Sequence, residues 1–537
     1  MVKRTEVGST TIARVEACFA LAFAACCLAT PDRAEAQGWP GYGRDPQHSC
    51  LSARDSQAPQ RIRWKTTVDH SIPPDNTQEI LIHYGTPVIT RVNTVIVPVK
   101  TSGNGDYQVE ARRATDGTTL WTSPISDYAL PSHSWVPVFG MTLTPKDRYL
   151  AYPGGGGTVF VRNFPNSAAG TTTRYAFYGP ANYLANPSAF QSAIQICTPI
   201  SSDALGNLYF GYVSTGVALP GYPNGIPGGL ARISSTGVGS FVAASTLAND
   251  GSIHKVAYNC APAFSLDGGT LYVAVNNSGG KGYLCAVNPT TLAPKTSQLL
   301  YDPSYANHSQ LAFVDDDGSA TPTVGPDGHV YYGVLGAGIS SNNYRGFLLH
   351  FDGTLATEML PSAFGWDDTA SIVPASAIPS YKGSSTYLLM TKYNDYADAN
   401  IGQGINKLAV VDPGTPMNYT PPNGGSTLSV MSSVLTVTGI TPDPHFQSVS
   451  RPNAVREWCI NSAAIDPVKK CAVVNSEDGH LYRWDFTTNS LSYNPLKGTT
   501  GLMLEPSTAE AYTPTVIGPD GAVYAINNAV LFSCVEN

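Results

Sequence analysis

Apolar and polar positions follow a repeated pattern along the chain, in which two short apolar strands are joined by a polar turn. The first strand is often entered by Thr-Pro, the turn is rich in Gly, Asp and Asn, and the second strand is aromatic and β-branched. In the two sharpest copies, 320–332 and 512–524, the turn is Pro-Asp-Gly, in which Pro fixes φ and Gly accepts a positive φ. Short apolar runs bounded by such turns predict β-hairpins.

This hairpin recurs eight times, mostly at intervals of 50 to 63 residues, so each interval has room for four strands. A single four-stranded sheet cannot bury both of its faces, whereas eight sheets stacked around an axis can. Repeats of this length are typical of propeller blades. We therefore predict an all-β fold, a single eight-bladed β-propeller of four-stranded antiparallel blades over residues 37–537. The eight copies occupy 86–97, 141–152, 197–210, 260–273, 320–332, 371–389, 459–474 and 512–524.

The two ends of the propeller indicate how its ring closes. Only one more strand, 529–533, follows the last hairpin, so the last blade lacks its outer strand. The segment 61–69 precedes the first hairpin and is predicted to supply that strand. Cys50 and Cys534 would then lie near the seam and are a disulfide candidate, provided that their Cα atoms come within roughly 7 Å. The longest interval between copies contains a Gly-, Pro- and Asn-rich stretch, 411–427, which is predicted to be an insert loop.

The N-terminal residues 1–36 resemble an export signal, with a basic start, an apolar stretch and a small-x-small cleavage pattern before Gln37. An alternative interpretation is a lipoprotein signal with Cys26 as the anchored residue. No later segment of the sequence resembles a membrane-spanning helix. These features predict a secreted or periplasmic protein, and we expect a monomer.

Charge excludes one class of partner. The chain carries a formal net charge of −8 and has no run rich in Lys and Arg. A nucleic-acid-binding protein needs a concentrated positive face to neutralise phosphates, so no nucleic-acid partner is expected.

Seven cysteines follow residue 36, and an odd number leaves at least one unpaired within the chain. Cys197, Cys260 and Cys459 occupy the same position in three copies of the hairpin. Cys197 and Cys260 lie in neighbouring copies, so they are a second disulfide candidate. Buried free thiols or a soft-metal site are the alternatives. Cys471 is predicted to lie opposite about Asp466, and therefore not to pair with Cys459.

Three segments resemble the PQQ-like (quinoprotein-like) propeller superfamily: the N-terminal segment 38–49, the repeat-like segment 111–121 and the C-terminal segment 519–527. The resemblance implies an eight-bladed propeller. It also implies either a dehydrogenase that holds pyrroloquinoline quinone (PQQ) and calcium, or a non-catalytic scaffold of outer-membrane assembly. The chain departs from the dehydrogenase pattern, because its only adjacent cysteine pair lies within residues 1–36 and it has no Cys-x-x-Cys-His motif. PQQ and calcium are therefore implied cofactors that no motif in the chain supports.

Residues that enter the innermost strand of each blade surround one mouth of the central channel. Such a ring, rich in carboxylates, suits a cation or a polyhydroxylated ligand, although propeller mouths are often polar only because they are hydrated. The predicted ligand-binding residues are His83, Tyr84, Gln195, Asn259, Asp317, Trp366, Trp458 and Glu510.

Three carboxylates beside aromatic residues are the catalytic candidates: Glu457, Asp367 and Asp368. Carboxylates with aromatic rings suit general acid–base chemistry on a stacked sugar, and the alternative is packing of the aromatic rings between blades. The leading hypothesis is a propeller that binds a small molecule, a saccharide or a protein at its channel mouth. The alternatives are a propeller enzyme, either a PQQ-dependent dehydrogenase or a hydrolase or lyase acting on saccharides, and an envelope assembly scaffold.

Overall fold

Short antiparallel strands make up most of the molecule. The computed structural model describes residues 38–72, 81–82, 85–102, 105–131, 135–136, 139–316, 318, 320–337, 345–397, 402–422, 424–506 and 511–537. The predicted export signal lies outside the described residues. In the described part of the chain no helix is long and apolar enough to cross a bilayer.

The strands fall into eight sheets, which are the blades, with four short strands besides. Before blade 1 come β1 (Arg61–Thr67) and β2 (Leu81–Ile82). Blade 1 contains β3 (Val88–Ile89), β4 (Thr94–Ser102), β5 (Gly105–Arg113) and β6 (Thr119–Thr122), and is followed by β7 (Trp135–Val136), which pairs with β2. Blade 2 contains β8 (Thr142–Leu143), β9 (Tyr149–Gly154), β10 (Thr158–Asn163) and β11 (Thr172–Ala176). Blade 3 contains β12 (Ile194–Ile196), β13 (Ser201–Ser202), β14 (Leu208–Ser214), β15 (Gly229–Ile233) and β16 (Gly239–Ala243). Blade 4 contains β17 (Lys255–Val256), β18 (Ala263–Phe264), β19 (Leu271–Asn276), β20 (Gly282–Val287) and β21 (Pro294–Leu299).

The second half of the ring continues the same order. Blade 5 contains β22 (Thr323–Val324), β23 (Val330–Val334) and β24 (Phe347–Phe351). Blade 6 contains β25 (Ser371–Pro374), β26 (Tyr387–Lys392), β27 (Lys407–Tyr419) and β28 (Leu428–Thr438). Blade 7 contains β29 (Ala464–Asp466), β30 (Cys471–Asn475), β31 (His480–Asp485) and β32 (Ser490–Leu491), then the hairpin β33 (Tyr493–Asn494) with β34 (Thr499–Thr500), and β35 (Leu502–Met503), which pairs with β31. Blade 8 contains β36 (Val516–Ile517), β37 (Val523–Asn527) and β38 (Val530–Val535). The described helices are α1 (Pro180–Ala185), α2 (Pro187–Ala193) and α3 (Ala244–Ala248), with four single 3₁₀ turns at 145–147, 155–157, 306–308 and 375–377.

All eight predicted hairpins form the first two strands of a blade, so the eight-bladed propeller is confirmed. The second strands are buried along their length, as in β23 and β37, because neighbouring blades cover both faces. Blade 5 differs from its neighbours. Its described residues form three strands, and the isolated bridges Leu348–Ser362 and Phe351–Glu358 lie on the side of β24 where a fourth strand would pair.

The predicted ring closure is also confirmed. Strand β1 pairs antiparallel with β38, from Arg61 opposite Val535 to Thr67 opposite Val530. The indole N–H of Trp64 donates to the carbonyl of Ala114 at 2.7 Å, which ties the seam to blade 1. Gly117, at φ +73°, lies against the Trp64 ring so closely that a Cβ atom would sit 2.8 Å from it, so a side chain is excluded there.

The stretch 411–427, predicted to be an insert loop, is partly strand. Residues 411–419 belong to β27, which forms a long hairpin with β28 and has a bulge between Asp412 and Pro416. Bulges accommodate residues that cannot donate to the ladder, so the Gly and Pro residues bend the hairpin without ending it.

A further segment, residues 38–57, runs around the inside of the ring, and we call it the lead-in. The innermost strand of each blade has one edge facing the axis, and the lead-in hydrogen-bonds to that edge in several blades. Its backbone partners in blades 1, 2, 4, 5, 6, 7 and 8 are Ile89, Leu143, Phe264, Val324, Ile372, Ile465 and Gly521. It therefore occupies the end of the channel at which the innermost strands finish, opposite the mouth at which they begin.

Candidate functional site

The mouth of the channel is built from two kinds of segment in each blade. One is the segment that enters the innermost strand, and the other is the turn between the second and third strands, which lies at the same end of an antiparallel blade. Among the described residues, charged and metal-ligating side chains converge at the mouth in blades 6 and 7. We call this group the mouth cluster, and its members are Asp367, Asp368, Lys392, Glu457, Cys459 and Glu477.

In blade 6 a lysine and two aspartates are buried together. Lys392 is the last residue of β26, and its Nζ lies 3.5 Å from Oδ2 of Asp367, with both side chains at most 2% exposed. Its backbone N–H donates to Oδ1 of Asp368 at 3.4 Å. The ammonium group also lies 4.9 Å from the centre of the Tyr512 ring, a cation–π distance. Lys392 thus pairs with the aspartates within blade 6 and contacts blade 8 through the Tyr512 ring.

The Asp368 side chain is buried beside Lys392. Burial raises its pKa well above the usual range, and the nearby Lys392 charge opposes this only in part. Its Oδ2 atom is buried and has no hydrogen-bond partner within the described structure. The raised pKa favours the protonated form of this carboxyl group, which costs less to bury than the carboxylate.

An asparagine of blade 6 fixes the backbone of blade 7 between two cluster members. Asn394 is 1% exposed, its Oδ1 accepts from the Trp458 N–H at 3.3 Å, and its Nδ2 donates to the Trp458 carbonyl at 3.3 Å. The residues on either side of Trp458 are Glu457 and Cys459. Because both backbone groups of Trp458 are held, the positions of these two flanking side chains are constrained.

Glu457, Cys459 and Glu477 form the part of the cluster that could hold a metal ion. Their ligand atoms all lie within 4.8 Å of one another, and all three residues are half-buried. Oε1 of Glu477 accepts a hydrogen bond from the Glu457 N–H at 3.2 Å. Burial raises the pKa of Glu477 to about 7, although this hydrogen bond and the Arg456 charge act in the opposite direction. Two carboxylates and a thiol suit a borderline divalent ion such as zinc, since calcium prefers oxygen ligands alone.

The structure brings together only some of the predicted site residues. Glu457, Asp367 and Asp368 lie in the mouth cluster, and Trp366 and Trp458 are adjacent to them in the chain. Gln195 lies in β12, where its amide donates to the Leu130 carbonyl at 3.4 Å. Asn259 is in blade 4, and its amide donates to the Gly318 carbonyl at 3.5 Å. The other four predicted ligand-binding residues lie outside the described residues: His83, Tyr84, Asp317 and Glu510.

Three members of the site were not predicted as site residues from the sequence: Lys392, Asn394 and Glu477. Lys392 ends the second strand of blade 6 and Asn394 follows it, whereas Glu477 lies in the turn after the second strand of blade 7. Their position in the repeat could have identified them, because the turn after the second strand of every blade lies at the same mouth of the channel.

The two predicted disulfides do not form in the structure, where none of the seven described cysteines is in a disulfide. The Cys50 thiol donates to Oγ of Ser462 at 3.5 Å in blade 7, whereas Cys534 lies in β38 of blade 8. The Cys197 thiol faces the Val256 carbonyl, and Cys260 accepts from the Ala274 N–H. Cys50 is drawn away from the seam because the lead-in carries it into the channel. Cys471 lies opposite Asp466, as predicted.

The described residues of the mouth do not fit PQQ with calcium. A planar quinone needs an open aromatic face, and the rings of Trp366 and Trp458 are only 5% and 1% exposed. Calcium takes six to eight oxygen ligands, whereas the cluster that converges here contains a thiol.

Comparison with known proteins adds information about the fold. No protein-family model matches the chain, and no curated protein sequence matches it. Among solved structures, a europium-containing methanol dehydrogenase is 9% identical, with a TM-score of 0.50, over 91% of this chain and 89% of that one. The quinohemoprotein alcohol dehydrogenase from Comamonas testosteroni is 10% identical, with a TM-score of 0.49, over 94% and 81%. BamB from Moraxella catarrhalis is 12% identical, with a TM-score of 0.42, over 88% and 98%. The chain has the fold of the PQQ-like eight-bladed propellers, and identities this low establish the fold alone.

Proposed function

We propose that this PQQ-like propeller is an exported, monomeric binding protein whose ligand is held at the channel mouth over blades 6 and 7. The observation that carries the proposal is the convergence of Glu457, Cys459 and Glu477 within 4.8 Å. Export rests on the signal-like residues 1–36. The ligand class that suits this donor set is a divalent cation, alone or as a bridge to an oxygen-rich molecule.

The charges around the three donors support binding at this position. The cluster contains four acidic residues and one lysine, Lys392, and the neighbouring Arg456 pairs with Asp443 at 3.5 Å. The pKa of Glu477 near 7 means that its proton is held weakly enough for a cation to displace it at neutral pH. The two hydrogen bonds between Asn394 and the Trp458 backbone keep Glu457 and Cys459 in place before any ligand arrives, which lowers the entropy cost of binding.

Calorimetric titration of the full chain with zinc and, separately, with calcium tests this proposal. We expect zinc to bind at one site, more tightly than calcium, and Glu457→Gln to weaken zinc binding by about tenfold or more. Glu536→Gln, which changes an exposed glutamate near the C-terminus, is the matched control and should bind as the unaltered protein does. Equal zinc binding by Glu457→Gln and the unaltered protein would contradict the proposal.

The other candidate functions give different results with the same preparation. A new absorbance band and dye reduction after addition of PQQ and calcium would indicate a dehydrogenase. Release of reducing sugar from oligosaccharides would indicate a hydrolase. Co-purification of membrane proteins would indicate an assembly scaffold.

A further inference from the structure

A groove of about 770 Å³ lies between blades 2 and 3, at the end of the ring opposite the mouth. Its walls are the turn after β8, the strands β10 and β11, and the two turns of blade 3 that follow β13 and β15. We propose that this groove binds an acidic oligosaccharide. The site is separate from the mouth cluster, and the proposal is independent of the function proposed above.

The charge of the groove differs from that of the chain as a whole. The chain has a net charge of −8, yet the groove lining includes two cations, Lys146 and Arg148, and no carboxylate. Both side chains are exposed, and within the described residues neither has an ion-pair partner. Asp147 lies between them in the chain, but it is held by Arg91, whose N–H donates to Oδ2 at 2.7 Å. The cations therefore favour an anionic ligand, with which they can form charge-assisted hydrogen bonds.

The remaining lining is suited to sugar rings. The Tyr149 and Tyr175 side chains are half-buried, and the Arg148 guanidinium lies 5.2 Å from the centre of the Tyr149 ring. Tyr175 packs across Gly237 of blade 3, where a Cβ atom would sit 2.3 Å from its ring, so the ring is held in the groove wall. The C–H face of a sugar packs on such rings while its hydroxyls need short polar partners. The lining supplies these from Thr144, Asn163, Thr171, Thr173, Ser234, Ser235 and Thr236.

The length of the groove favours an oligomer over a monosaccharide. A second cavity of about 320 Å³ shares Thr144, Pro145, Lys146 and Ala204 with it and continues toward the lead-in, where the lining contains Arg44 and His48 but also Asp45, Asp147 and Asp203. The acidic units are therefore placed in the first groove, whose 770 Å³ is alone larger than the space that many drug-sized molecules fill, roughly 300–1,000 Å³. Hydroxyl side chains along the whole length favour a polyhydroxylated chain over an acidic peptide.

Affinity measurements with the full chain and defined probes test the proposal. The probes are tetragalacturonate, its neutral methyl ester and an oligoglutamate peptide of equal charge. We expect tetragalacturonate to bind, the methyl ester to bind about tenfold or more weakly, and binding to weaken as salt is added. The double variant Lys146→Ala/Arg148→Ala should lose about tenfold or more of the affinity for tetragalacturonate. Tyr149→Ala should weaken binding of both sugar probes.

A matched double variant, Lys382→Ala/Lys497→Ala, removes two exposed cations from blades 6 and 7 and should bind as the unaltered protein does. Three results would overturn the proposal. One is the absence of tetragalacturonate binding at millimolar concentration. The second is equal affinity in the two double variants, and the third is tighter binding of oligoglutamate than of tetragalacturonate.

Discussion

The hydroxyl of Tyr42 donates a hydrogen bond to Oδ1 of Asn461, a residue 419 positions further along the chain. The same hydroxyl is 2.9 Å from Oγ1 of Thr369. Tyr42 belongs to the lead-in, and its two partners enter the innermost strands of blades 6 and 7. One side chain therefore joins the N-terminal segment to two blades inside the channel.

Tyr42→Phe should lower the free energy of unfolding by about 1–3 kcal/mol, because it removes a buried hydroxyl and the hydrogen bonds that it makes. Urea denaturation monitored by tryptophan fluorescence measures the change. Tyr493→Phe, at a tyrosine that is 61% exposed, is the control and should have almost no effect. Equal stability of the two variants would mean that the lead-in contributes little at this point.

Trp64→Ala should destabilise the closed ring by about 3–5 kcal/mol, since it leaves a cavity between β1 and the turn of blade 1 and removes the indole hydrogen bond to Ala114. We expect faster proteolysis at the seam as well as a lower Tm. Arg61→Ala, at the exposed start of the same strand, keeps the pairing with β38 and should behave like the unaltered protein. An unchanged Tm for Trp64→Ala would contradict the role of this side chain in closure.

Lys392→Met should cost about 3–5 kcal/mol of stability, because it removes the cation beside buried Asp367. Adding Asp367→Asn should restore much of the loss, and Asn tolerates the positive φ of +53° at this position. The double-mutant cycle, measured by urea denaturation, gives the coupling between the two residues. Lys382→Met, at an exposed lysine, is the control. Additive effects of Lys392→Met and Asp367→Asn would show that the two residues do not interact.

Glu477→Gln should change how stability depends on pH. The pKa of Glu477 is about 7 in the folded protein and 4.5 as its ordinary value, so between these values the folded state binds a proton that the unfolded chain releases. This carboxyl group therefore stabilises the fold less as the pH rises from about 5 to about 8. The Gln variant lacks the titration, so its stability relative to the unaltered protein should be higher at pH 8 than at pH 5. Urea denaturation at both pH values measures the difference, and the prediction fails if the difference is the same at each.

His48 should make the lead-in sensitive to acid. Burial lowers its pKa to about 4, and its Nδ1 is 2.9 Å from the Pro322 carbonyl. The unfolded chain binds a proton at this residue below about pH 6.5, so stability should fall as the pH drops from 6.5 toward 4. His48→Asn should reduce this dependence, and Asn accepts the φ of +58° there. Thermal unfolding at pH 7 and pH 5 is the measurement, and an identical slope in the two proteins would exclude His48 as the cause.

The hairpins and the seam could be predicted from the sequence because their signals are local. The turn at Pro519 to Gly521 specifies a reversal by itself, and the apolar runs on each side specify the strands. Strand 61–67 could be placed because the sequence provides the last blade with only three strands, so its outer strand had to come from elsewhere. Each of these inferences depends on a few neighbouring residues or on counting strands.

The path of the lead-in and the composition of the mouth cluster could not be predicted in the same way. The lead-in is held by backbone N–H and carbonyl groups of seven blades, which every sequence provides and no side-chain pattern reveals. Glu457 and Glu477 are 20 positions apart and meet only because two different segments of blade 7 return to one mouth. The Cys50–Cys534 pairing was wrong for the same reason, since it assumed that the chain before β1 stays near the seam.

Because β1 pairs with β38, the ring can close only after the C-terminal strand has been synthesised. The first strand of the ring leaves the ribosome long before its partner has been made, and at roughly 5–20 residues per second the delay is on the order of a minute. During that time an unpaired strand edge is exposed and prone to wrong pairing. Contacts between such distant parts of a chain form slowly, so we expect closure of the seam to come late in folding. A chain in which the seam has not closed would expose two unpaired strand edges.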